Sequence, residues 1–208
     1  MKRRSKAARA VIGMSLSLLL LSGTAARSQN AVETVIFVRH GEKPHEGLGQ
    51  LNCQGLNRAL ALPSVITKIF GRPDAIFAPD PDEGITDAGG RFDYVRPLAT
   101  IEPTAVSFGL PVNVSIGVSD TDGLRAVLEQ PRYRNARVLI AWEHENIEAT
   151  ARALLAAHSA DAAVVPEWDS DDFDSIYVVT ITRIGDTKRA TFALMHQGLN
   201  GQKKTCPQ

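Results

Sequence analysis

Cysteine is nearly absent: Cys53 and Cys206 are the two in 208 residues. Two thiols so far apart make no metal-binding motif. They leave two readings open, a disulfide tying the C-terminal tail to the start of the first helix or two independent thiols. Long apolar runs are scarce too. The longest, from Val11 to Leu21, falls short of the roughly 20 residues that span a bilayer comfortably. No cysteine follows it, which argues against a lipoprotein anchor. Internal repeats are lacking, and so is any composition break that would mark a second domain. His40, Glu42 and His45 do not have the H-x-x-x-H spacing of a helical zinc site, so no metal is expected.

What the chain does have begins with its first residues. Lys2, Arg3, Arg4, Lys6 and Arg9 precede the apolar run, and Ser22, Gly23, Thr24, Ala25 and Ala26 follow it. That order is expected of a secretory signal peptide over residues 1–28, cleaved between Ala26 and Ala31. A retained N-terminal anchor is the alternative. The leader reads as bacterial export, to the periplasm or beyond, with no stable membrane insertion after cleavage. Residues 1–28 hold six basic residues and no acidic one, leaving 17 basic against 23 acidic and a net charge of −6. A mildly acidic domain argues against nucleic-acid binding, which relies on basic surface. A small phosphorylated ligand needs only a local positive cluster.

Residues 29–208 read as one domain of alternating strands and helices. The run Val35-Ile36-Phe37-Val38 predicts a buried strand over 34–39. A Gly-rich loop over 42–50 follows, then a helix from Asn52 or Gln54 with Leu56, Leu60, Ile66 and Ile69 inward and Pro63 bending or interrupting it. A second strand is expected over 74–78 and a long surface loop over 79–94. A helix from Arg96 turns Leu98, Ile101, Ala105, Val106 and Phe108 to the core, awkwardly holds Pro103, and stops at Gly109. A strand is expected over 112–118. Ser119 or Asp120 caps a helix to about Gln130. A strand over 136–142 and a helix over 147–158 come next. The acidic run 167–174 reads as a solvated loop, and 175–184 and 189–195 as a hairpin about Gly185-Asp186-Thr187. The expected fold is a three-layer α/β/α sandwich, its central sheet mainly parallel with an antiparallel C-terminal hairpin.

Two strand ends match. The strand at 34–39 runs into Arg39-His40-Gly41-Glu42-Lys43, and the strand at 136–142 into Glu143-His144-Glu145-Asn146. Ligands of open α/β sheets bind outside the carboxyl ends of the strands. Two parallel neighbours would bring Arg39, His40, Lys43, Arg96 and His144 to one edge, with Glu42, Glu143 and Glu145 close by. Forked guanidinium donors suit a phosphoryl group. A histidine can attack phosphorus and hold the group, and a general acid must protonate the leaving oxygen. Protein cations can carry the charge stabilisation, so no cofactor is expected. His45, His158 and His196 lack a strand-end setting and read as surface or packing residues.

The sequence resembles the histidine phosphatase superfamily, which includes the cofactor-dependent phosphoglycerate mutases and the histidine acid phosphatases. The resemblance rests on Val38-Arg39-His40-Gly41-Glu42, on Leu51 to Ala59, on Arg96 with Thr100 and Thr104-Ala105, and on Val138 to His144, in the family's order and over about residues 34–158. It implies the phosphoglycerate mutase-like fold of the compact branch, without a large helical insertion. It implies His40 as the nucleophile, Arg39 and Arg96 as the phosphoryl clamp, and His144 as a stabiliser of the transferring group. Lys43 matches a further phosphate contact, with Glu42 and Asn146 as neighbouring substrate contacts. Glu145 resembles the acid that acid phosphatases place after their second histidine. The mutase branch places its acid elsewhere, where Asp120 or Asp122 would stand. The implied activity is metal-independent hydrolysis of a phosphomonoester through phosphohistidine. A non-catalytic phosphate-binding module and a mutase-type phosphotransferase are the alternatives.

Overall fold

The computed structural model describes residues 30–185 and 187–207. The leader expected at 1–28 lies outside the described residues, as does Asp186 of the expected turn.

Among the described residues eight strands and four α-helices follow one another: β1 (Ala31–Arg39), α1 (Cys53–Phe70), β2 (Ala75–Phe77), β3 (Ile85–Asp87), β4 (Gly90–Phe92), α2 (Arg96–Phe108), β5 (Val112–Asn113), α3 (Thr121–Leu128), β6 (Arg137–Trp142), α4 (His144–Ala157), β7 (Ser175–Ile184) and β8 (Thr187–His196). Six strands form one sheet in the order β5-β2-β6-β1-β7-β8. The first four run parallel, and β7 and β8 are antiparallel to their neighbours. Alternate residues of the central strands feed two cores. Val35, Phe37, Val138, Ile140 and Trp142 pack with Leu124, Leu128, Ile147 and Leu154 of α3 and α4. Ile36, Val38, Leu139 and Ala141 pack with Leu62, Ile66, Ile101 and Ala105 of α1 and α2. Helices therefore cover both faces, as both-sides-apolar strands require.

Each helix start has a local cause. The Asn52 side chain accepts the Gly55 N–H at 2.9 Å and opens α1. Asp120 accepts from Gly123 and opens α3. Glu143 accepts from Asn146 and opens α4 three residues before the expected start. These are N-caps, which satisfy orphan amides of the first turn.

Several expected boundaries move. β1 begins at Ala31, because its first residues pair with Arg183 and its neighbours on β7. α1 and α2 run unbroken through Pro63 and Pro103. Leu60 and Val106 do not reach a core; they are 52% and 72% exposed. The buried face of α1 is Gly55, Arg58, Ala59, Leu62 and Ile66, and that of α2 includes Arg96, Thr100 and Thr104. Polar residues on the inner faces shift the apparent apolar stripe. The strand expected over 112–118 shrinks to Val112–Asn113, and α3 stops at Leu128. The expected loop at 79–94 folds into a 3-10 turn over Pro81–Glu83 and the β3–β4 hairpin. β8 starts at Thr187, two residues early.

Of the two readings of the cysteines, the structure has the disulfide: Cys53 and Cys206 are bonded, 153 residues apart in sequence. The tail that follows β8 is laid against α1, with Asn57 donating to the carbonyls of Lys203 and Thr205 at 2.8 Å. A loop of this length predicts about 5 kcal/mol of chain-entropy stabilisation, an upper figure. Thermal unfolding with and without a reductant is expected to show a clearly lower Tm for the reduced protein; equal Tm values would contradict it.

Candidate active site

The site starts where β1 and β6 end. Their parallel register pairs Arg39 with Trp142, and the His40 N–H donates to the Trp142 carbonyl at 3.0 Å. His40 therefore stands beside Glu143 and His144 at one sheet edge. The chain then turns at Gly41, tightly against α1. A Cβ on Gly55 would meet the Glu42 carbonyl oxygen at 2.3 Å, and one on Gly41 would meet the Gly55 Cα at 2.9 Å. Only paired glycines allow the first turn of α1 to sit under the turn that carries His40. The Gly41 N–H donates to the Thr100 hydroxyl at 2.8 Å, which donates in turn to the Arg96 carbonyl at 2.7 Å. One hydroxyl thus joins the His40 turn to the start of α2.

His40 is 2% exposed, with its Nδ1 2.8 Å from the Gly41 carbonyl oxygen. A carbonyl only accepts, so Nδ1 carries the proton and Nε2 keeps its lone pair. Burial lowers the imidazole pKa to about 3, against the Gly41 hydrogen bond, and the charges of Arg96 and Arg39 push the same way. The ring is neutral and nucleophilic across the ordinary pH range. Long-range proton–nitrogen spectra of His40 are therefore expected to show no protonation between pH 5 and 8; a midpoint near the ordinary 6.5 would contradict the site as described. Linkage has a definite sign here. Between about 6.5 and 3 the unfolded imidazole binds a proton that the folded one does not, so this group removes stability as the pH falls through that window.

Arg39 and Arg96 both act on the ring electrostatically. Arg39 donates through Nη1 to the carbonyls of Ser170 (2.5 Å) and Asp172 (3.0 Å), and its guanidinium lies 4.2 Å from the centre of the Phe173 ring. The acidic run at 167–174, expected as a solvated loop, is thus a cradle for Arg39. Arg96 grips Asp87 of the β3–β4 hairpin with Nη1 and Nη2, at 2.7 and 3.2 Å. Burial alone would raise the Asp87 pKa. The Arg96 hydrogen bonds, the Gly49 N–H and the charges of Arg96 and Lys43 outweigh it and hold the carboxyl at about 2. Both arginines keep a buried Nε with no hydrogen-bond partner, as does the hydroxyl of fully buried Tyr94. Tyr94 stands edge-on to His40, with the Arg96 guanidinium over its ring. Its contact with Arg96 is electrostatic and falls short of hydrogen-bond geometry.

The remaining expected residues fall into place or out of it. His144 begins α4, with Nδ1 against the Glu143 carboxylate. Lys43 stands at the rim, half exposed, 3.5 Å from Asp87. Asn146 is bonded to Glu143 through both its backbone and its side chain. Glu145 is exposed on the first turn of α4. The Glu42 carboxylate, expected to face a substrate, instead takes both Nε and Nη2 of buried Arg58. Asp120 is spent on capping α3, and Asp122 meets Arg125 on the exposed side of α3. Of the histidines set aside, His45 and His196 are exposed and His158 is buried. Among the described residues no helix is long and apolar enough to cross a membrane, and no group of three His, Cys, Asp or Glu side chains is placed to hold a metal ion. Asp87, Tyr94 and Phe173 escaped the sequence reading, because they lie on segments read as featureless loops.

No protein-family model matches the sequence, and no curated protein does. Solved structures do. A proposed phosphohistidine phosphatase, SixA, from Nakamurella multipartitia is 16% identical over 79% of this chain and 96% of that one, with a TM-score of 0.53. The mycobacterial glucosyl-3-phosphoglycerate phosphatase, solved with inorganic phosphate, is 16% identical over 77% and 95%, with a TM-score of 0.54. The Plasmodium falciparum phosphoglycerate mutase is 12% identical over 78% and 89%, with a TM-score of 0.50. At such identities the likeness is one of fold, and that fold is the one shared by the histidine phosphatase superfamily.

Proposed function

We propose that this chain is an exported phosphatase that hydrolyses a small phosphomonoester through a phosphohistidine on His40. One observation carries the reading. A buried, neutral imidazole whose Nδ1 is taken by Gly41 lies in the field of two guanidinium groups, each with a buried N–H that meets no acceptor. Buried unsatisfied donors are rare and call for an explanation. A phosphoryl group supplies one, because its non-bridging oxygens would accept from the Nε atoms of Arg39 and Arg96 while its phosphorus faces His40. With both terminal nitrogens of Arg96 held by Asp87 and Nη1 of Arg39 by loop carbonyls, neither clamp needs to reorganise as charge develops.

The reaction then has two halves. His40 Nε2 displaces the alcohol and becomes phosphorylated, and water releases phosphate from the ring. The guanidinium groups carry the charge stabilisation, so hydrolysis is expected without an added metal. Fold neighbours that include a phosphatase solved with inorganic phosphate support the activity. Export is supported by the leader-like sequence of residues 1–28 and by the disulfide, which fits an oxidising compartment. Lys43, the hairpin at 85–92 and the loop at 166–174 rim the site and would choose the substrate.

The test is hydrolysis of p-nitrophenyl phosphate in the presence of a chelator, with trapping of 32P from a labelled phosphomonoester on the protein by an alkaline denaturing quench. Turnover with an acid-labile label supports the reading. Absence of turnover with tight vanadate binding would replace it by a phosphate-binding module.

A further inference from the structure

The leaving oxygen needs a proton, and the position of Glu143 bears on its source. One Glu143 oxygen contacts His144 Nδ1. The other accepts from the backbone N–H of Asn146 at 3.0 Å and from its side-chain amide at 3.1 Å. The carboxylate is fixed from both sides, and it fixes the ring in turn. A histidine that gives one nitrogen to a carboxylate presents the other, here Nε2, as its exchangeable proton site. The charged and titratable groups facing Glu143 from other elements are Arg39 and His40 at the end of β1 and Tyr94 before α2, all electrostatically coupled to it. The pair therefore belongs to the same charged cluster as the nucleophile. Glu145, the acid suggested by the family pattern, stands exposed one residue further on.

We infer that Glu143 and His144 form an oriented acid pair in which His144 delivers the leaving-group proton and Glu143 is its positioning residue. The inference rests on the phosphohistidine reading of the site. As the bond from His40 Nε2 to phosphorus forms, the bond from phosphorus to the leaving oxygen breaks, and the proton on His144 Nε2 passes to that oxygen. His144 is then neutral. In the second half its free lone pair takes a proton from the attacking water as the phosphorus–nitrogen bond breaks. Inorganic phosphate leaves, and both histidines return to their starting states with no other reactant. Glu143 does not itself give up the proton. Burial raises its pKa, but the close contact with His144, the N–H groups of Asn146 and Glu145 and the charge of His144 outweigh that and hold it at about 2. A carboxyl that strong has no proton to lend at neutral pH.

The experiment compares p-nitrophenyl phosphate, whose leaving group departs without a proton, with an alkyl phosphate, whose leaving group does not. Glu143→Gln keeps an oxygen for the α4 cap and removes the charge. It is expected to lower kcat/KM, which reads only the steps up to departure of the leaving group, ~100-fold on the alkyl phosphate, within the usual range for general acid catalysis, and by less than ~5-fold on the aryl phosphate, while release of phosphate from His40 slows alike for both. Vanadate affinity should stay unchanged. Equal losses of kcat/KM on both substrates, or wild-type rates on the alkyl phosphate, overturn the inference. So does a leaving-group-selective loss in Glu145→Gln with Glu143→Gln like wild type. If Glu143→Gln does not fold, His144→Gln must show the selective loss in kcat/KM, and equal losses of kcat/KM there overturn it. A wild-type protein that turns over neither substrate defeats the phosphohistidine reading instead, a result distinct from all of these.

Discussion

His40→Ala is expected to lose essentially all phosphomonoester hydrolysis, by roughly 10^4-fold or more, the scale on which removal of a catalytic nucleophile acts. The protein should nevertheless fold and bind vanadate. The reason is a division of labour. Arg39 is held by the carbonyls of Ser170 and Asp172 and by Phe173, and Arg96 by Asp87. None of these contacts passes through the imidazole, so the anion clamp survives the substitution. The backbone of His40 also keeps its bond to Trp142. What disappears is Nε2 alone among the reacting atoms. Rapid-quench labelling with 32P-substrate should give label in the wild type and none in the variant. Label that persists in His40→Ala would assign the covalent step to another residue.

Arg58→Met is expected to cost about 3–5 kcal/mol of stability, the usual result of orphaning buried charge. For a domain of this size that is a fall in Tm on the order of 10 °C. Arg58 lies on the inner face of α1, 1% exposed, and binds four residues on three segments at once. Its Nε and Nη2 grip Glu42, and its Nη1 reaches Asp174 and Gln197 at 3.2 Å. Asn200 closes the ring at 3.3 Å. Methionine fills the volume but leaves two carboxylates buried without a counter-charge. Turnover should fall as well, since Glu42 follows the turn of His40 and Asp174 ends the segment that cradles Arg39. The triple variant Arg58→Met, Glu42→Gln, Asp174→Asn should recover part of the lost Tm, because the uncompensated charges go with their partner. Calorimetry of the single and triple variants decides this: a single variant as stable as wild type would show that the network holds nothing.

Arg58 also shows where a sequence reading stops. The run Val35–Val38 announces a buried strand because its apolar residues face both cores, and β7 was legible to the residue from its β-branched pattern. The meeting of Arg39-His40 with Glu143-His144 followed from strand ends alone. The failures come from buried polar residues, whose partners lie far along the chain. Arg58 and Thr104 on inner helix faces displaced the apparent apolar stripe toward Leu60 and Val106. Glu33, fully buried against Arg183 and pushed by that burial to a pKa of about 7, concealed the start of β1. Glu42 looked like a site acid because nothing local reveals that its partner is sixteen residues on. Asp87 lay in a segment rich in glycine and aspartate, whose hairpin is fixed mainly by tertiary contacts.

The place of β1 in the sheet also governs when the site can come into being. Its partners are β6, about a hundred residues later, and β7, later still. The earliest strand in the chain therefore waits for nearly all of the rest before it has a neighbour on either side. Assembly dominated by such distant pairings is slow. His40 is among the first side chains of the fold to be synthesised and among the last to be given its surroundings. With this order one edge of β1 stays unpaired until β7, ending at Ile184, is in place.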